Sequence, residues 1–152
     1  MQISHIKYFQ VWIPIIAKWI HEEWSYAFPA LTLTEIQRGL FGRMNETEMP
    51  ITLIAHDERG VLGTASLKAK DMDSVPELTP WLSAVYINPE YRGQGVGKAL
   101  ISEIEKLARA AGHPKLYAFN PISQGVFEKM GWKVLETIRV AGRDVGILVK
   151  NL

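Results

Sequence analysis

Three glycines that alternate with other residues form the stretch of this chain that points most clearly to chemistry. They lie in the segment from Arg92 to Gly97, which reads RGQGVG. Glycine lets backbone N–H groups approach a ligand without a Cβ in the way, and the first turn of a helix carries unpaired N–H groups with a partial positive charge. A loop of this kind between a strand and a helix is suited to bind a phosphate or pyrophosphate.

The residues on either side of this loop predict the two elements that must position it. Trp81 to Ile87 is an apolar run rich in β-branched and aromatic residues, which predicts a buried strand ending before Asn88-Pro89. Beyond the loop, apolar residues recur at helical spacing and charged residues take the opposite side, which predicts an amphipathic helix. Its apolar side consists of Val96, Leu100, Ile101, Ile104, Leu107 and Ala108.

Two common phosphate-binding patterns do not fit this loop. The P-loop requires Ser or Thr after its lysine, but Ala99 follows Lys98, and Arg92 stands where the first glycine would be. The dinucleotide pattern G-x-G-x-x-G also fails, because the glycines here are spaced G-x-G-x-G. A nucleoside triphosphatase or a dehydrogenase is therefore disfavoured. A nucleotide-binding domain that uses the same loop remains a third hypothesis, and it predicts that ATP stabilises the protein.

Two segments resemble motifs of one protein family. Arg92-x-x-Gly95-x-Gly97, after a strand that ends in Val-Tyr-Ile, resembles the loop that binds the pyrophosphate of acyl-CoA in the GNAT superfamily of N-acetyltransferases. The segment from Asn120 to Trp132 is similar to a later motif of that superfamily. In that motif an Asn follows the fifth strand, a short helix carries Tyr-Glu-Lys, and Gly with an aromatic residue starts the sixth strand.

The resemblance implies a fold, and local patterns in the chain agree with it. We expect an α/β single-domain GNAT-like fold over residues 1–152, with a mixed central sheet of about seven strands, about four helices and a V-shaped splay between strands 4 and 5. Apolar spacing predicts a first helix over about Phe9–Trp24, with Pro14 in its first turn. Thr32 and Glu35 form a capping box before a second helix, which we expect to reach about Met44.

By the same resemblance, acetyl-CoA is the acyl donor. The backbone of the central strand would pair with the pantetheine arm like an added strand, and an N–H near Tyr86 would polarise the thioester carbonyl. The expected cofactor-binding residues are Val85, Tyr86, Ile87, Arg92, Gly93, Gln94, Gly95, Val96, Gly97, Lys98, Ala99, Asn120, Ser123, Phe127 and Lys129.

One position departs from the family pattern. Phe127 occupies the place where many members have a tyrosine whose hydroxyl protonates the leaving thiolate. A phenylalanine cannot donate a proton. The thiolate could leave unprotonated or through water, since a thiol has a pKa of about 8.5, or a hydroxyl of Ser123, Tyr117 or Tyr86 could substitute. A non-catalytic acyl-CoA-binding or sensing module is therefore the alternative to an enzyme.

The acceptor side carries no comparable motif. An alkyl amine is mostly protonated near pH 7, so a basic group is needed. We take Glu22 and Glu77, with Tyr86, as the catalytic residues, and Glu23, Trp24 and Trp81 as the substrate pocket. Further candidates for the base are Glu23, His56, Asp71 and Asp73, and a residue of this kind is more often an ordinary surface residue than a base.

The composition of the chain limits which other classes of protein and of site are possible. Hydrophobic residues make up 47% of the chain, and 17 basic against 16 acidic residues give a formal net charge of +1, so no nucleic-acid partner is expected. The chain has no cysteine, which excludes a cysteine nucleophile and zinc–thiolate sites; we expect no metal. No apolar run approaches the length of a membrane span, so we expect a cytoplasmic protein. Dimers are frequent in the family that this chain resembles, so the resemblance implies a homodimer as one expected state.

Overall fold

Seven strands form one sheet in the computed structural model, which describes residues 1–121 and 125–152. The strand order is β1-β2-β3-β4-β5-β7-β6. The strands are β1 (Gln2–His5), β2 (Ile51–Asp57), β3 (Gly60–Lys68), β4 (Trp81–Ile87), β5 (Lys115–Pro121), β6 (Lys133–Val140) and β7 (Arg143–Asn151). Within the described ranges the helices are α1 (Ile13–Trp24), α2 (Leu33–Phe41), α3 (Val96–Ala110) and α4 (Val126–Lys129), with short 3-10 turns at Ile6–Tyr8, Gln10–Trp12 and Pro89–Tyr91. None of these helices has the length and apolar character needed to cross a bilayer.

The sheet is mixed because one pair of neighbouring strands is parallel. β4 and β5 run in the same direction, whereas the other neighbouring pairs are antiparallel. The parallel pair is short: only Trp81 with Tyr117 and Leu82 with Ala118 are in register. Beyond Leu82 the two strands separate. The expected α/β fold, with seven strands, four helices and a splay between strands 4 and 5, is confirmed.

Helices cover both faces of the sheet, and the two faces differ. On one face α3 packs through Leu100, Ile101 and Ile104 against an apolar surface that includes Leu53 and Leu67. On the other face α1 and α2 pack against Ile54 and Ala84. The strand residues on this second face include buried hydroxyl groups, from Thr52, Thr64, Ser66 and Ser83. One side of the sheet is therefore an apolar core, while the other keeps polar groups beneath the helices.

A bulge bends β4 where it leaves β5. Ser83 pairs with Ser66 of β3 and Tyr86 pairs with Thr64, so Ala84 and Val85 together stand opposite Ala65. Ala84 has a φ of +52°, a left-handed conformation that non-glycine residues seldom adopt. The extra residue turns the second half of the strand.

Several element boundaries differ from the sequence prediction. Helix α1 begins at Ile13 rather than Phe9, because the preceding residues form 3-10 turns, and Pro14 lies in its first turn as predicted. The capping box is present: the Glu35 N–H donates to Thr32 Oγ1 at 3.1 Å, and the Thr32 N–H donates to Glu35 Oε2 at 3.0 Å. Helix α2 ends at Phe41, short of the predicted Met44.

Candidate active site

A cavity of about 660 Å³ lies on the α1–α2 face of the sheet and opens where β4 and β5 separate. This volume is within the range of small-molecule sites, roughly 300–1,000 Å³. Its lining comes from the last part of α1 through α2 to Arg43, from the segment Leu82–Ile87 of β4, and from the end of β5 with the start of α4. The lining is completed by Lys68, Asp71, Asp73 and Arg92. Open strand edge, glycine loop and cavity are thus contiguous, because Ile87 and Arg92 lie on the cavity wall.

The glycine loop has the conformation that an anion-binding turn requires. Gly93 and Gly95 have φ values of +76° and +86°, and a Cβ added at either would meet nothing within 4 Å. Gly95 is the N-cap of α3, and the first bond into the helix runs from the Ala99 N–H to the Gly95 carbonyl at 3.0 Å. The preceding N–H groups of the first turn are left for a ligand. The loop therefore fits a pyrophosphate group, with open space in front of its backbone.

Gly97 differs from the other two glycines of the loop. It lies inside the first turn of α3 and does not have a left-handed φ. A Cβ there would stand 3.6 Å from Ile87 Cγ1, which is an ordinary contact. The backbone therefore does not demand glycine at this position, whereas it favours glycine at Gly93 and Gly95.

Arg92 fixes the loop to the end of β4. Its Nε donates to the Ile87 carbonyl at 2.9 Å, and its guanidinium lies 5.4 Å from the centroid of the Tyr86 ring. The Tyr86 ring also stacks with Trp19 of α1 at 5.3 Å. These contacts hold Tyr86 on the cavity wall beside the open edge of the strand.

The second half of β4 has a free edge for a ligand backbone. From Ser83 to Ile87, no residue is in register with β5 in the part of the chain that the structure describes. These residues line the cavity. Edge N–H and C=O groups of this kind can pair with an amide-rich chain such as a pantetheine arm. Together with the loop, this edge fits acetyl-CoA, which would supply an acetyl thioester.

A charged cluster forms the floor of the cavity, below the helices. The Arg43 Nη1 donates to Ser66 Oγ at 3.2 Å, and the Ser83 hydroxyl donates to Asp71 Oδ1 at 2.8 Å. Lys68 Nζ lies 3.6 Å from the same Asp71 oxygen. Burial lowers the pKa of both Arg43 and Lys68, and the charge of Asp71 partly offsets that effect. We refer to Arg43, Lys68 and Asp71 as the floor cluster.

Many of the residues predicted from the sequence lie on the cavity wall. They are Glu23, Trp24, Val85, Tyr86, Ile87, Arg92, Asn120 and Phe127. Asn120 belongs to β5, where it pairs with Gly146, and does not follow the strand as expected. Phe127 packs edge-to-face against Trp132 with ring centroids 5.3 Å apart. Lys98 and Lys129 are exposed, and Ser123 falls outside the described residues.

Three residues that we predicted on the acceptor side do not line the cavity. Glu22 projects from α1 into solvent, where it pairs with Lys18 at 3.9 Å, and Glu77 is exposed on the loop before β4. Trp81 was expected to wall the pocket, and this is corrected: its side chain is fully buried. Its Nε1 donates to the Leu78 carbonyl at 2.7 Å, because the start of β4 is paired on both sides and covered by the loop.

The other candidates for the base differ in whether they line the cavity. His56 is buried and does not line the cavity. Its Nε2 lies 2.9 Å from Ser4 Oγ, and its ring packs against the stacked rings of Phe9 and Trp12. Asp71 and Asp73 line the cavity. Sequence reasoning missed Arg43, Lys68, Ser66 and Ser83. The signal available was the alternation of the polar residues Thr64, Ser66 and Lys68 with apolar residues in β3.

Comparison with known proteins agrees with this fold. The family model described as "Acetyltransferase (GNAT) family" matches residues 13–132. The chain therefore belongs to the GNAT acetyltransferase family, as its two motifs predicted. An acetyltransferase of Yersinia pseudotuberculosis is 39% identical over 67 residues, which cover 40% of this chain and 48% of the relative. The match thus spans about half the length of that curated relative.

Solved structures share the fold over the whole chain. The ribosomal-protein-alanine N-acetyltransferase from Brucella melitensis has a TM-score of 0.77 and 20% identity, and the match covers 100% of both chains. YncA from Salmonella typhimurium, solved with its cofactor acetyl-CoA, has a TM-score of 0.72 and 19% identity, covering 99% of this chain and 93% of its own. At these identities the likeness concerns the fold.

Proposed function

We propose that this protein transfers an acetyl group from acetyl-CoA directly to a primary amine, within a complex that holds both substrates. The observation that carries the proposal is the continuity of three features: the glycine loop, the unpaired edge of β4 and the cavity that opens beside it. Membership of the GNAT family, and the acetyl-CoA in the structure of YncA, support the same donor.

Donor binding would rest mainly on backbone groups. The N–H groups from Gly93 to Lys98 would bind the pyrophosphate, and the edge from Val85 to Ile87 would pair with the pantetheine arm. An N–H near Tyr86 would polarise the thioester carbonyl. Arg92 would hold the loop against the strand through its bond to the Ile87 carbonyl.

The reaction then needs only proton transfers from the protein. The amine nitrogen forms a bond to the carbonyl carbon as the C–S bond breaks. An ammonium acceptor loses one proton before attack and a second as the amide forms; one reaches the sulfur and the other goes to solvent. Because Glu22 and Glu77 lie outside the cavity, we assign the first transfer to Glu23, a carboxylate that lines it.

Direct transfer is favoured over a covalent acetyl-enzyme. The chain has no cysteine. The Ser83 hydroxyl on the cavity wall donates to Asp71 rather than to a histidine. An intact-mass measurement after incubation with acetyl-CoA alone should therefore show an unmodified chain. A chain heavier by one acetyl group, released again on addition of amine, would overturn direct transfer.

The alternative function, an acyl-CoA-binding module, rests on Phe127. Its ring lines the cavity where many family members have a hydroxyl, so the protein lacks that proton donor. A module of this kind would bind acetyl-CoA as tightly as an enzyme does, without releasing CoA when amines are added.

Two measurements test these proposals together. Calorimetric titration with acetyl-CoA, with ATP and NADH as controls, should show binding of acetyl-CoA alone. Release of free CoA in the presence of a panel of primary amines should then identify acceptors. Binding without release for any amine would favour the module, and binding of ATP instead would favour a nucleotide-binding domain.

A further inference from the structure

We propose that the acceptor amine also carries a carboxylate, which binds the floor cluster through Arg43 and Lys68. This inference rests on the proposed acetyl transfer and specifies its substrate class: an amino acid or a similar small amino-carboxylate. The floor cluster itself holds two cations and one carboxylate.

Arg43 is a half-buried cation that has no carboxylate within ion-pair distance among the described residues. Its guanidinium donates a hydrogen bond to the Ser66 hydroxyl. Across residues 1–121 and 125–152, no carboxylate oxygen lies within 4.0 Å of its guanidinium. Buried charges in proteins are normally paired, and an arginine stays protonated at physiological pH. An anion from the cavity would complete this site.

Asp71 does not neutralise Arg43, because it already forms an ion pair with Lys68. Lys68 and Asp71 form a single partly buried ion pair, with side chains 27% and 14% exposed. The same carboxylate accepts the Ser83 hydroxyl, so its charge is already stabilised by a neighbouring donor. Two cations thus share one carboxylate, and the floor cluster has one net positive charge.

The surrounding hydroxyls hold the cations in place. Ser66 Oγ lies 2.7 Å from Thr52 Oγ1, which positions the oxygen that accepts from Arg43. Ser83 lies directly opposite Ser66 in the β3–β4 register. These two neighbouring serines therefore place the guanidinium and the Asp71 carboxylate side by side on the sheet. A preorganised arginine fork of this kind matches the two oxygens of a carboxylate.

Among the other charged residues of the cavity wall, Glu23 at the end of α1 suits the amine end of the same molecule. Arg92 also lines the cavity and donates to the last carbonyl of β4. Glu35 is engaged in the capping box, and Asp73 is exposed and pairs with Lys70 at 2.9 Å. One net positive charge at the floor matches a carboxylate better than a phosphate dianion. Polycationic amines would meet repulsion there.

The test compares L-amino acids with their carboxamides, which lack the carboxylate. We expect the amino acids to give much faster release of CoA. In Arg43→Gln, the KM of the best amino acid should rise about 10- to 100-fold, the loss expected for a charge-assisted hydrogen bond. The KM of acetyl-CoA should be unchanged. Arg38→Gln is the matched control, since Arg38 is an exposed arginine of α2 that does not line the cavity.

Binding measurements keep the inference separate from the proposed activity. Calorimetric titration of the same amino acids into the CoA complex should show binding that Arg43→Gln and Lys68→Met both weaken. If no amine releases CoA while this binding is seen, acetyl transfer fails and the carboxylate site stands. Equal turnover of amino acids and carboxamides, or unchanged amino acid binding in both folded variants, would overturn the carboxylate site.

Discussion

The two faces of β2 and β3 differ in the polarity of their buried side chains. Toward α3 their residues are apolar, as at Leu53 and Leu67, and they support the helix whose first turn carries the glycine loop. Toward α1 and α2 their residues include Thr52 and Ser66, buried hydroxyls that hydrogen-bond to each other. Buried hydroxyls cost free energy unless they are paired, so this polar face is stable only as a connected network. The apolar face supports α3, and the polar face lies beneath the cavity.

The largest expected effect is on the donor side, from Gly95→Asp. A side chain at φ +86° and a negative charge in front of the first turn would both oppose a pyrophosphate. Acetyl-CoA binding should fall below detection in a calorimetric titration, while circular dichroism stays native.

Gly112→Asp is the control for that variant. Gly112 has a φ of +87° and equally open surroundings at the other end of α3, so its replacement has a similar backbone cost of about 1–2 kcal/mol. It should bind acetyl-CoA like the wild type. Similar loss of binding in both variants would mean that helix strain, and not the loop, was responsible.

On the apolar face, Leu100→Ala should lower the free energy of unfolding by about 2–5 kcal/mol. Leu100 is fully buried between α3 and the sheet, so truncation leaves a cavity. Urea unfolding measures the loss. Leu135→Ala makes the same chemical change at an exposed position of β6 and should be nearly neutral.

On the polar face, Ser66→Ala should have a smaller effect on stability, about 1–3 kcal/mol. It removes the oxygen that accepts from Arg43 and the partner of Thr52. Urea unfolding would measure this, and the binding of amino acids should weaken in parallel. Ser102→Ala, on α3, is the control. A cost for Ser66→Ala equal to that of Leu100→Ala would contradict the difference between the faces.

The smallest effect is expected from Phe127→Tyr. If the thiolate leaves without a protein acid, a new hydroxyl on the cavity wall should change kcat by less than about 10-fold, against the roughly 10²- to 10⁴-fold of a general acid that limits the rate. Steady-state rates near pH 7 decide this. A larger gain would show that the missing tyrosine hydroxyl limits the natural enzyme.

The donor side was readable from the sequence because its signals are local. The bounds of β4 and the start of α3 agree with the prediction, since apolar periodicity and the glycines around Gly95 act over a few residues. The acceptor side was not readable. Arg43 and Lys68 are far apart in the chain and meet only through strand pairing and the packing of α2, which no local pattern encodes. The burial of Trp81 was not predicted, because it depends on the packing of the preceding loop and of strands β5 to β7 around its ring.

The bulge at Ala84 shifts the alternation of β4 side chains between the two faces of the sheet by one residue. In a regular strand, Val85 and Ile87 would point to the same side as Ser83. With one extra residue, Ser83 and Ala84 both belong to the α1–α2 face, while Val85 and Ile87 pack with α3 and Tyr86 meets Trp19. A single inserted residue thus lets one short strand present a serine to the acceptor floor and, three residues later, a tyrosine to the donor edge. Deleting that residue would invert the second half of the strand, so that Tyr86 would face α3 while Val85 and Ile87 would face α1 and α2.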